Sequence, residues 1–151
     1  MVEAYPPSVE AWVSLKKVHF LLSRRLQHEY ARLHLTATQY MVLRDLSAGP
    51  GQASTLAASL GVTTANLTGV IDRLEAAGLI ERDRRQADRR TVRLALTAKG
   101  RVLTGEAMST LRGSVQSLFA TLDPDDLDAL QGGLDKLLEA LELDEPLGVS
   151  A

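Results

Sequence analysis

The segment from residue 53 to residue 80 constrains the fold more than any other part of the chain. Its sequence, ASTLAASLGVTTANLTGVIDRLEAAGLI, predicts a short helix over 53–60, a turn at Gly61 and a second helix over 64–77. Ala57 is small where the two helices would cross, and Gly61 permits the backbone angle of the turn. The buried face of the motif is predicted to consist of Val62, Leu67, Val70, Ile71 and Leu74. We therefore interpret the segment as a helix-turn-helix.

A β-hairpin is predicted directly after this motif. Gly78 ends the second helix, and Leu79 begins a strand that we expect to pair with residues 92–96. The side chains expected to point inward from the second strand are those that alternate along it, Val92, Leu94 and Leu96. Residues 84–91 would then form the loop of the hairpin, which is the wing of a winged helix-turn-helix.

Long amphipathic helices are predicted on both sides of this region. Before it, apolar residues recur at three- and four-residue steps over residues 8–34, and Thr36 or Thr38 starts the next helix. After it, Thr97 caps a helical region over 98–143. The apolar face of the first helix is too broad for a single partner surface, which favours burial between subunits as well.

The order of these elements predicts the fold class. We expect a mainly α protein with a small β-hairpin wing, in which a winged helix-turn-helix is flanked by N- and C-terminal dimerisation helices. The DNA-binding region would cover residues 36–97, and the dimerisation helices 8–34 and 98–143. With 151 residues, 45% of them hydrophobic, the chain suits a single domain over 1–151.

Charge is distributed unevenly along the chain. The net charge of the whole is −2, but the stretch from Glu81 to Arg101 holds eight basic and three acidic residues, a local net charge of +5. From Thr121 to the end, nine acidic residues accompany Lys136 alone, a local net charge of −8. Local charge, rather than the sum over the chain, determines whether phosphates are attracted. The hairpin region is therefore a candidate for nucleic-acid binding.

Short polar side chains cluster at the start of the second helix of the motif. They are Thr63, Thr64, Asn66 and Thr68, and Arg73 follows further along. Such side chains fit base edges and phosphates in a major groove of DNA. Taken alone, threonine and asparagine there favour an ordinary solvated helix surface, and Thr63 or Thr64 also serves as the N-cap. The adjacent wing shifts the interpretation toward DNA.

Five charged residues concentrate in the predicted wing: Arg84, Arg85, Asp88, Arg89 and Arg90. A bare arginine loop is usually a solvated surface. Here Asp88 lies two residues before Arg90 and can hold its guanidinium in one orientation through a bidentate pair. An ordered arginine can enter a narrow minor groove. We predict that Arg90 is the inserted residue and that Asp88 orients it.

Three motifs together resemble a known family. They are the run LEAAGLIER from Leu74 to Arg82, the triplet DRR at residues 88–90, and the run LTAKG from Leu96 to Gly100. In combination they resemble the MarR (multiple antibiotic resistance regulator) family of bacterial transcriptional regulators, over about residues 10–143. The resemblance implies a homodimer that binds double-stranded DNA at a pseudo-palindromic operator and represses transcription, with no cofactor. It maps Thr64, Asn66 and Thr68 to groove-contacting positions and Arg90 to the wing tip.

The same resemblance implies release from DNA when a small phenolic or carboxylate effector enters a crevice between the dimerisation and DNA-binding parts. The residues nominated for that pocket are Trp12, Lys16, His19, Tyr40 and Arg44. The first two helices would bring these aromatic and basic groups together near the dimer cleft. In the alternative interpretation, Trp12 and His19 are core or interface residues, and Lys16 and Arg44 are solvated.

Other kinds of site are absent from the sequence. With no cysteine, the chain has no disulfide and no thiolate metal site, and it does not resemble peroxide-sensing members of the family. The three histidines share no metal-ligand spacing with carboxylates, so we expect no metal. No nucleophile with a base, no phosphate-binding glycine loop and no paired acid and base are present, so we expect no catalytic residue and no enzyme.

Location and partner class follow from the remaining patterns. The sequence has no apolar run near eighteen residues and no signal peptide, so we expect a cytoplasmic protein without a membrane partner. The alternative function is a winged-helix module that binds protein without specific DNA binding. Such a module has no need for Arg84, Arg85, Arg89 and Arg90 together.

Overall fold

The computed structural model describes residues 5–83 and 92–144. The helices are α1 (Pro7–Arg32), α2 (Ala37–Ser47), α3 (Ala53–Ser59), α4 (Thr64–Ala76), α5 (Ala98–Phe119) and α6 (Pro124–Asp144), and the strands are β1 (Gly51–Gln52), β2 (Ile80–Asp83) and β3 (Arg93–Leu96). The chain forms two compact units, Met1–Gly113 and Ser114–Ala151. The first unit contains the sheet and helices α1 to α4, and the second contains α6.

The predicted fold class is confirmed, with helices predominating over one small antiparallel sheet of order β1-β3-β2. Across the hairpin, Ile80 pairs with Leu96 and Asp83 pairs with Arg93. Leu94 and Leu96 point into the core, as their alternation predicts. The prediction for Val92 is wrong: it is 38% exposed, because β3 begins one residue later and Val92 lies outside the paired register.

Strand β1 is an element that the sequence does not predict. Gly51 and Gln52 pair with Leu94 and Arg93 of β3, directly after α2 has ended. Two residues are too few for any apolar periodicity to show. Their pairing attaches the connection between α2 and α3 to the sheet.

One hydrophobic core joins the elements of the first unit. Its fully buried side chains come from α2, α4, α5, β2 and β3, and the largest are Leu43, Leu67, Leu74, Ile80 and Leu94. Of the predicted buried face, Leu67, Val70, Ile71 and Leu74 are buried, and Val62, which lies in the turn before α4, is only partly buried. The helix-turn-helix therefore packs on α2 and on the sheet through one continuous core.

Local hydrogen bonds determine where the helices begin. The Thr36 hydroxyl accepts the backbone N–H of Gln39 at 3.2 Å, and the Gln39 side chain accepts the N–H of Thr36 at 2.8 Å. This reciprocal capping box makes Thr36 the N-cap of α2. Helix α1 begins at Pro7, one residue before the predicted boundary, because proline at the first helical position already has a helical φ.

Thr36→Ala is expected to lower the free energy of unfolding by about 1 kcal/mol, because it removes the acceptor for an otherwise unpaired helix N–H. Thr38→Ala is the matched control, since Thr38 lies inside α2 and does not cap it. Urea denaturation at equal protein concentration compares the two variants. A loss that is equal in both would contradict the assigned cap.

The first half of α1 carries large apolar side chains that the chain itself does not cover. They are Trp12, Val13, Leu15, Val18, Phe20 and Leu21, with exposed fractions between 44% and 64%. They lie on all sides of the helix, since successive residues are about 100° apart. Large apolar side chains on several sides of a helix are typical of a position with more than one partner surface. The first half of α1 thus lacks a partner surface in the single chain.

Helix α6 carries a leucine stripe that is also uncovered. The stripe consists of Leu127, Leu130, Leu134, Leu137, Leu138 and Leu141, at three- and four-residue steps. All of them except Leu134, which is half-buried, are exposed. Of residues 124–143, none is fully buried. Within residues 5–83 and 92–144, no helix is both long enough and apolar enough to cross a bilayer.

Candidate nucleic-acid interface

The turn between α3 and α4 sets the position of α4. Gly61 has φ +62°, and the N–H of Val62 donates to the carbonyl of Ala57 at 3.0 Å. Ala57 is 3% exposed, as its small side chain predicts for the place where the two helices cross. The Thr63 hydroxyl accepts the N–H of Asn66 at 3.3 Å, so Thr63 is the N-cap of α4.

The first two turns of α4 present a polar surface to solvent. Thr64, Asn66 and Thr68 are exposed, while Leu67 and Val70 on the opposite face are buried. The Thr68 hydroxyl donates to the carbonyl of Thr64 at 2.9 Å, so outward it offers its oxygen lone pair and its methyl group. Asn66 has both an amide donor and an acceptor, which suits the paired donor and acceptor of an adenine edge.

Gly69 and Arg73 shape the next turn of this surface. A Cβ added to Gly69 would meet only the Arg73 Nη1 atom, at 3.7 Å. The Arg73 side chain therefore extends back toward Gly69 along the exposed side of α4. The absence of a side chain at Gly69 leaves space that the Arg73 guanidinium borders.

The base of the wing is described, and its loop is not. The predicted contacts Arg84, Arg85, Asp88, Arg89 and Arg90 lie outside the described residues. At the base, Arg82 of β2 donates from Nη2 to Asp72 Oδ1 of α4 at 2.5 Å. Its Nη1 atom lies 3.4 Å from Glu75 Oε2, also on α4. These ion pairs join the hairpin to the exposed side of the helix.

The start of α5 holds the other end of α4. The Thr97 hydroxyl donates to the carbonyl of Gly78 at 2.7 Å, and Lys99 Nζ donates to the carbonyl of Ala77 at 2.8 Å. Gly78 has φ +70°, the left-handed conformation that favours glycine after a helix. Gly100 packs directly on the Leu79 backbone. The LTAKG run is thus the structural support for the C-terminus of α4.

The residues nominated for an effector pocket fall into two groups within one chain. Lys16 Nζ lies 5.4 Å from the centre of the Trp12 ring, near the start of α1. Tyr40 packs on Tyr30, near the end of α1, with ring centres 5.3 Å apart. Because a helix rises 1.5 Å per residue, Trp12 and Tyr30 are about 27 Å apart along α1. One chain therefore does not bring Trp12 and Lys16 to Tyr40.

His19 and Arg44 complete that set. His19 is exposed on α1, about 16 Å along the helix from Tyr30. Arg44 pairs with the neighbouring Asp45 at 2.7 Å. Burial raises the pKa of the Tyr30 hydroxyl. Tyr40 raises this pKa further, and Arg44 opposes the rise, so Tyr30 is uncharged at neutral pH.

A groove that the sequence analysis missed lies between the end of α2, strand β3 and the start of α5. Its volume is about 310 Å³, and its lining residues are Leu46, Ser47, Gly49, Pro50, Ala95, Leu96, Arg101, Thr104, Gly105 and Met108. These residues are about fifty positions apart in sequence, so no local pattern connects them. Among the described residues no cluster of three His, Asp or Glu side chains could hold a metal ion.

Comparison with known proteins gives a consistent picture. The family model of the MarR family matches residues 35–92. An uncharacterised HTH-type transcriptional regulator of Bacillus subtilis (strain 168), YfiV, is 29% identical over 134 residues, which cover 88% of this chain and 84% of that protein.

Two solved structures extend the similarity over nearly the whole chain. AbsC, a MarR family transcriptional regulator from Streptomyces coelicolor, matches with a TM-score of 0.81 and 27% identity, covering 93% of this chain and 99% of its own. The transcriptional repressor CouR, solved on a 23-mer DNA duplex, matches with a TM-score of 0.77 and 30% identity, covering 90% of this chain and 99% of its own.

Proposed function

The chain belongs to the MarR family of transcriptional regulators, and we propose that it is a homodimeric repressor that a small aromatic or carboxylate ligand releases from a pseudo-palindromic operator. One observation carries the DNA-binding part: the start of α4 exposes Thr64, Asn66 and Thr68 on a helix whose opposite face is locked into the core. The named relatives are regulators, so the prediction that this chain is not an enzyme is confirmed.

Helix α4 is the recognition helix of this proposal. Thr64, Asn66, Thr68 and Arg73 contact bases and phosphates in the major groove, and Thr63 caps the helix next to them. The predicted wing arginines grip the flanking minor groove, with Arg90 inserted. CouR, whose fold this chain shares, is solved on a DNA duplex, which supports DNA as the partner. A protein whose target is DNA would act in the cytoplasm, which is the location we propose.

A homodimer would cover both uncovered apolar surfaces. Exposed apolar side chains clustered on α1 and along the leucine stripe of α6 are typical of surfaces that bind another protein chain. Two copies also place two recognition helices in successive major grooves, about 34 Å apart. The dimerisation helices at 8–34 and 98–143 and the DNA-binding region at 36–97 are therefore proposed as functional regions.

The ligand-release part of the proposal draws on the groove between α2, β3 and α5. Its walls are mainly apolar, and Arg101 lies at its edge. Arg101 donates from Nη1 to the carbonyl of Leu96 at 2.7 Å, and a guanidinium has five N–H donors in all. A ligand carboxylate would accept hydrogen bonds from the remaining N–H groups of Arg101. The groove borders the LTAKG run, so a ligand there would act on the segment that supports the recognition helix.

The first test is a binding titration of the purified protein with the duplex upstream of its own gene and with an unrelated duplex, at low and moderate salt. We expect preferential binding to the upstream duplex that persists at moderate salt, and release on adding aromatic carboxylates. Equal binding that salt abolishes would contradict a sequence-specific repressor. No binding to either duplex would favour the protein-interaction module instead.

Arg90→Ala is expected to weaken specific binding about tenfold, because it removes the arginine assigned to the minor groove. Arg112→Gln on α5 is the matched control for the loss of one positive charge, and it should leave the affinity within about twofold. Fluorescence anisotropy on the same duplex measures both. An Arg90→Ala protein that binds like the wild type would remove Arg90 from the interface.

A further inference from the structure

We propose that Arg82 is a positioning residue for DNA binding, which neutralises two carboxylates on the recognition helix and keeps them from repelling the phosphate backbone. The carboxylates belong to Asp72 and Glu75. This inference rests on the proposed DNA-binding function. It gives Arg82, in strand β2 at the base of the wing, a role different from the DNA contact proposed for Arg90 in the loop.

The geometry places one guanidinium between the two acids. Arg82 Nη2 is 2.5 Å from Asp72 Oδ1, and Nη1 is 3.4 Å from Glu75 Oε2. The Arg82 side chain is 25% exposed, whereas the side chains of Asp72 and Glu75 are 57% and 39% exposed. The Arg82 side chain is therefore the least exposed of the three, and both carboxylates lie near the protein surface.

Asp72 stands on the side of α4 that would face the DNA. It follows Thr68 by four residues and Gly69 by three, and side chains at these spacings share one face of a helix. An uncompensated carboxylate there would lie well within the Debye length, about 10 Å at 0.1 M salt, of phosphates next to the groove. Each such carboxylate opposes binding.

Arg82 removes most of this opposition without needing a contact of its own with DNA. Charge-assisted bonds from one guanidinium to two carboxylates hold the negative charge next to a positive one. Among the described residues, Arg73 has no carboxylate within ion-pair distance, so its charge is left for the duplex. The cluster thus pairs the two acids of α4 with Arg82 and leaves Arg73 available to contact DNA.

Two other roles for Arg82 predict different results. If Arg82 bound a phosphate directly, its loss would weaken binding equally whether or not the two acids were charged. If the ion pairs only fixed the hairpin on α4, removing all three charges would be at least as harmful as removing Arg82 alone. Under our proposal the acids cause the harm, so neutralising them restores binding.

The test is a double-mutant cycle on the full-length chain. The variants are Arg82→Gln, the pair Asp72→Asn with Glu75→Gln, and the triple combination. The probe is a duplex that the wild-type chain selects from a random-sequence pool, and affinity is measured by fluorescence anisotropy at 0.1 M salt, with thermal unfolding in parallel. Arg112→Gln again controls for the loss of one positive charge.

We expect Arg82→Gln to weaken binding about tenfold in the wild-type background, but by less than about twofold once Asp72 and Glu75 are neutral. A tenfold loss in both backgrounds would overturn the proposal in favour of a direct phosphate contact. A triple variant that folds but binds as weakly as Arg82→Gln would overturn it in favour of a fixed hairpin. If the wild-type chain selects no sequence from the pool, the proposed function itself fails, and the inference with it.

Discussion

Gly100→Ala is expected to lower the free energy of unfolding by about 3 kcal/mol, although alanine is the better helix former. A Cβ at this position would lie 2.9 Å from the carbonyl carbon of Leu79 and closer still to its oxygen. That oxygen also accepts the N–H of Thr97 at 3.1 Å, so the backbone cannot move away without weakening this bond. The start of α5 would be pushed off the end of the recognition helix.

The matched control is Gly105→Ala on the same helix. A Cβ at Gly105 meets nothing within 4 Å, so the substitution should be neutral or stabilise by up to about 1 kcal/mol. Urea denaturation at equal protein concentration measures both variants, and DNA titration below the transition follows the recognition helix. Equal stability of Gly100→Ala and the wild type would contradict the close packing of α5 on Leu79.

Leu137→Asp is expected to dissociate the proposed dimer and to weaken operator binding by at least a hundredfold. Leu137 is 53% exposed in the single chain, so aspartate there costs the folded monomer little. In a dimer that covers the leucine stripe, the same carboxylate would be buried without a partner, which costs several kcal/mol. Loss of the second recognition helix then removes the gain from two linked binding sites, about 10²- to 10⁴-fold.

Leu143→Asp provides the control for that experiment. Leu143 is 81% exposed and lies on the side of α6 opposite the centre of the leucine stripe. It introduces the same charge on the same helix and should leave the dimer intact. Sedimentation velocity measures the mass, and anisotropy measures the affinity. A dimeric Leu137→Asp protein with wild-type affinity would contradict the role assigned to α6.

The sequence predicted the helix-turn-helix well because its determinants are local. Gly61 sets the turn, Thr63 caps α4, and the apolar period of α4 selects its buried face, all within one short segment. For the N-cap of α2 the sequence offers two candidates, Thr36 and Thr38. The reciprocal hydrogen bonds between Thr36 and Gln39 in the structure identify Thr36 as the cap. The strand β1 was missed because two residues have no period.

The set of residues nominated from the sequence for an effector pocket stays a prediction. Aromatic and basic residues on α1 and α2 suggested one site, but the length of α1 places Trp12 about 27 Å along the helix from Tyr30, against which Tyr40 packs. The groove that the structure contains joins the end of α2 to α5 across the sheet. Sequence patterns describe faces of single helices, and they contain no information on which distant faces meet.

The sequence by itself determined the kind of protein. Apolar periods, caps and glycines fixed the order of the helices and the hairpin, because each depends on residues within a few positions of one another. The tertiary structure alone decided how the recognition helix is supported, through Arg82 against Asp72 and Glu75 and through Gly100 on Leu79. These contacts join residues seven to twenty-one positions apart, and packing of the shared core brings them close together.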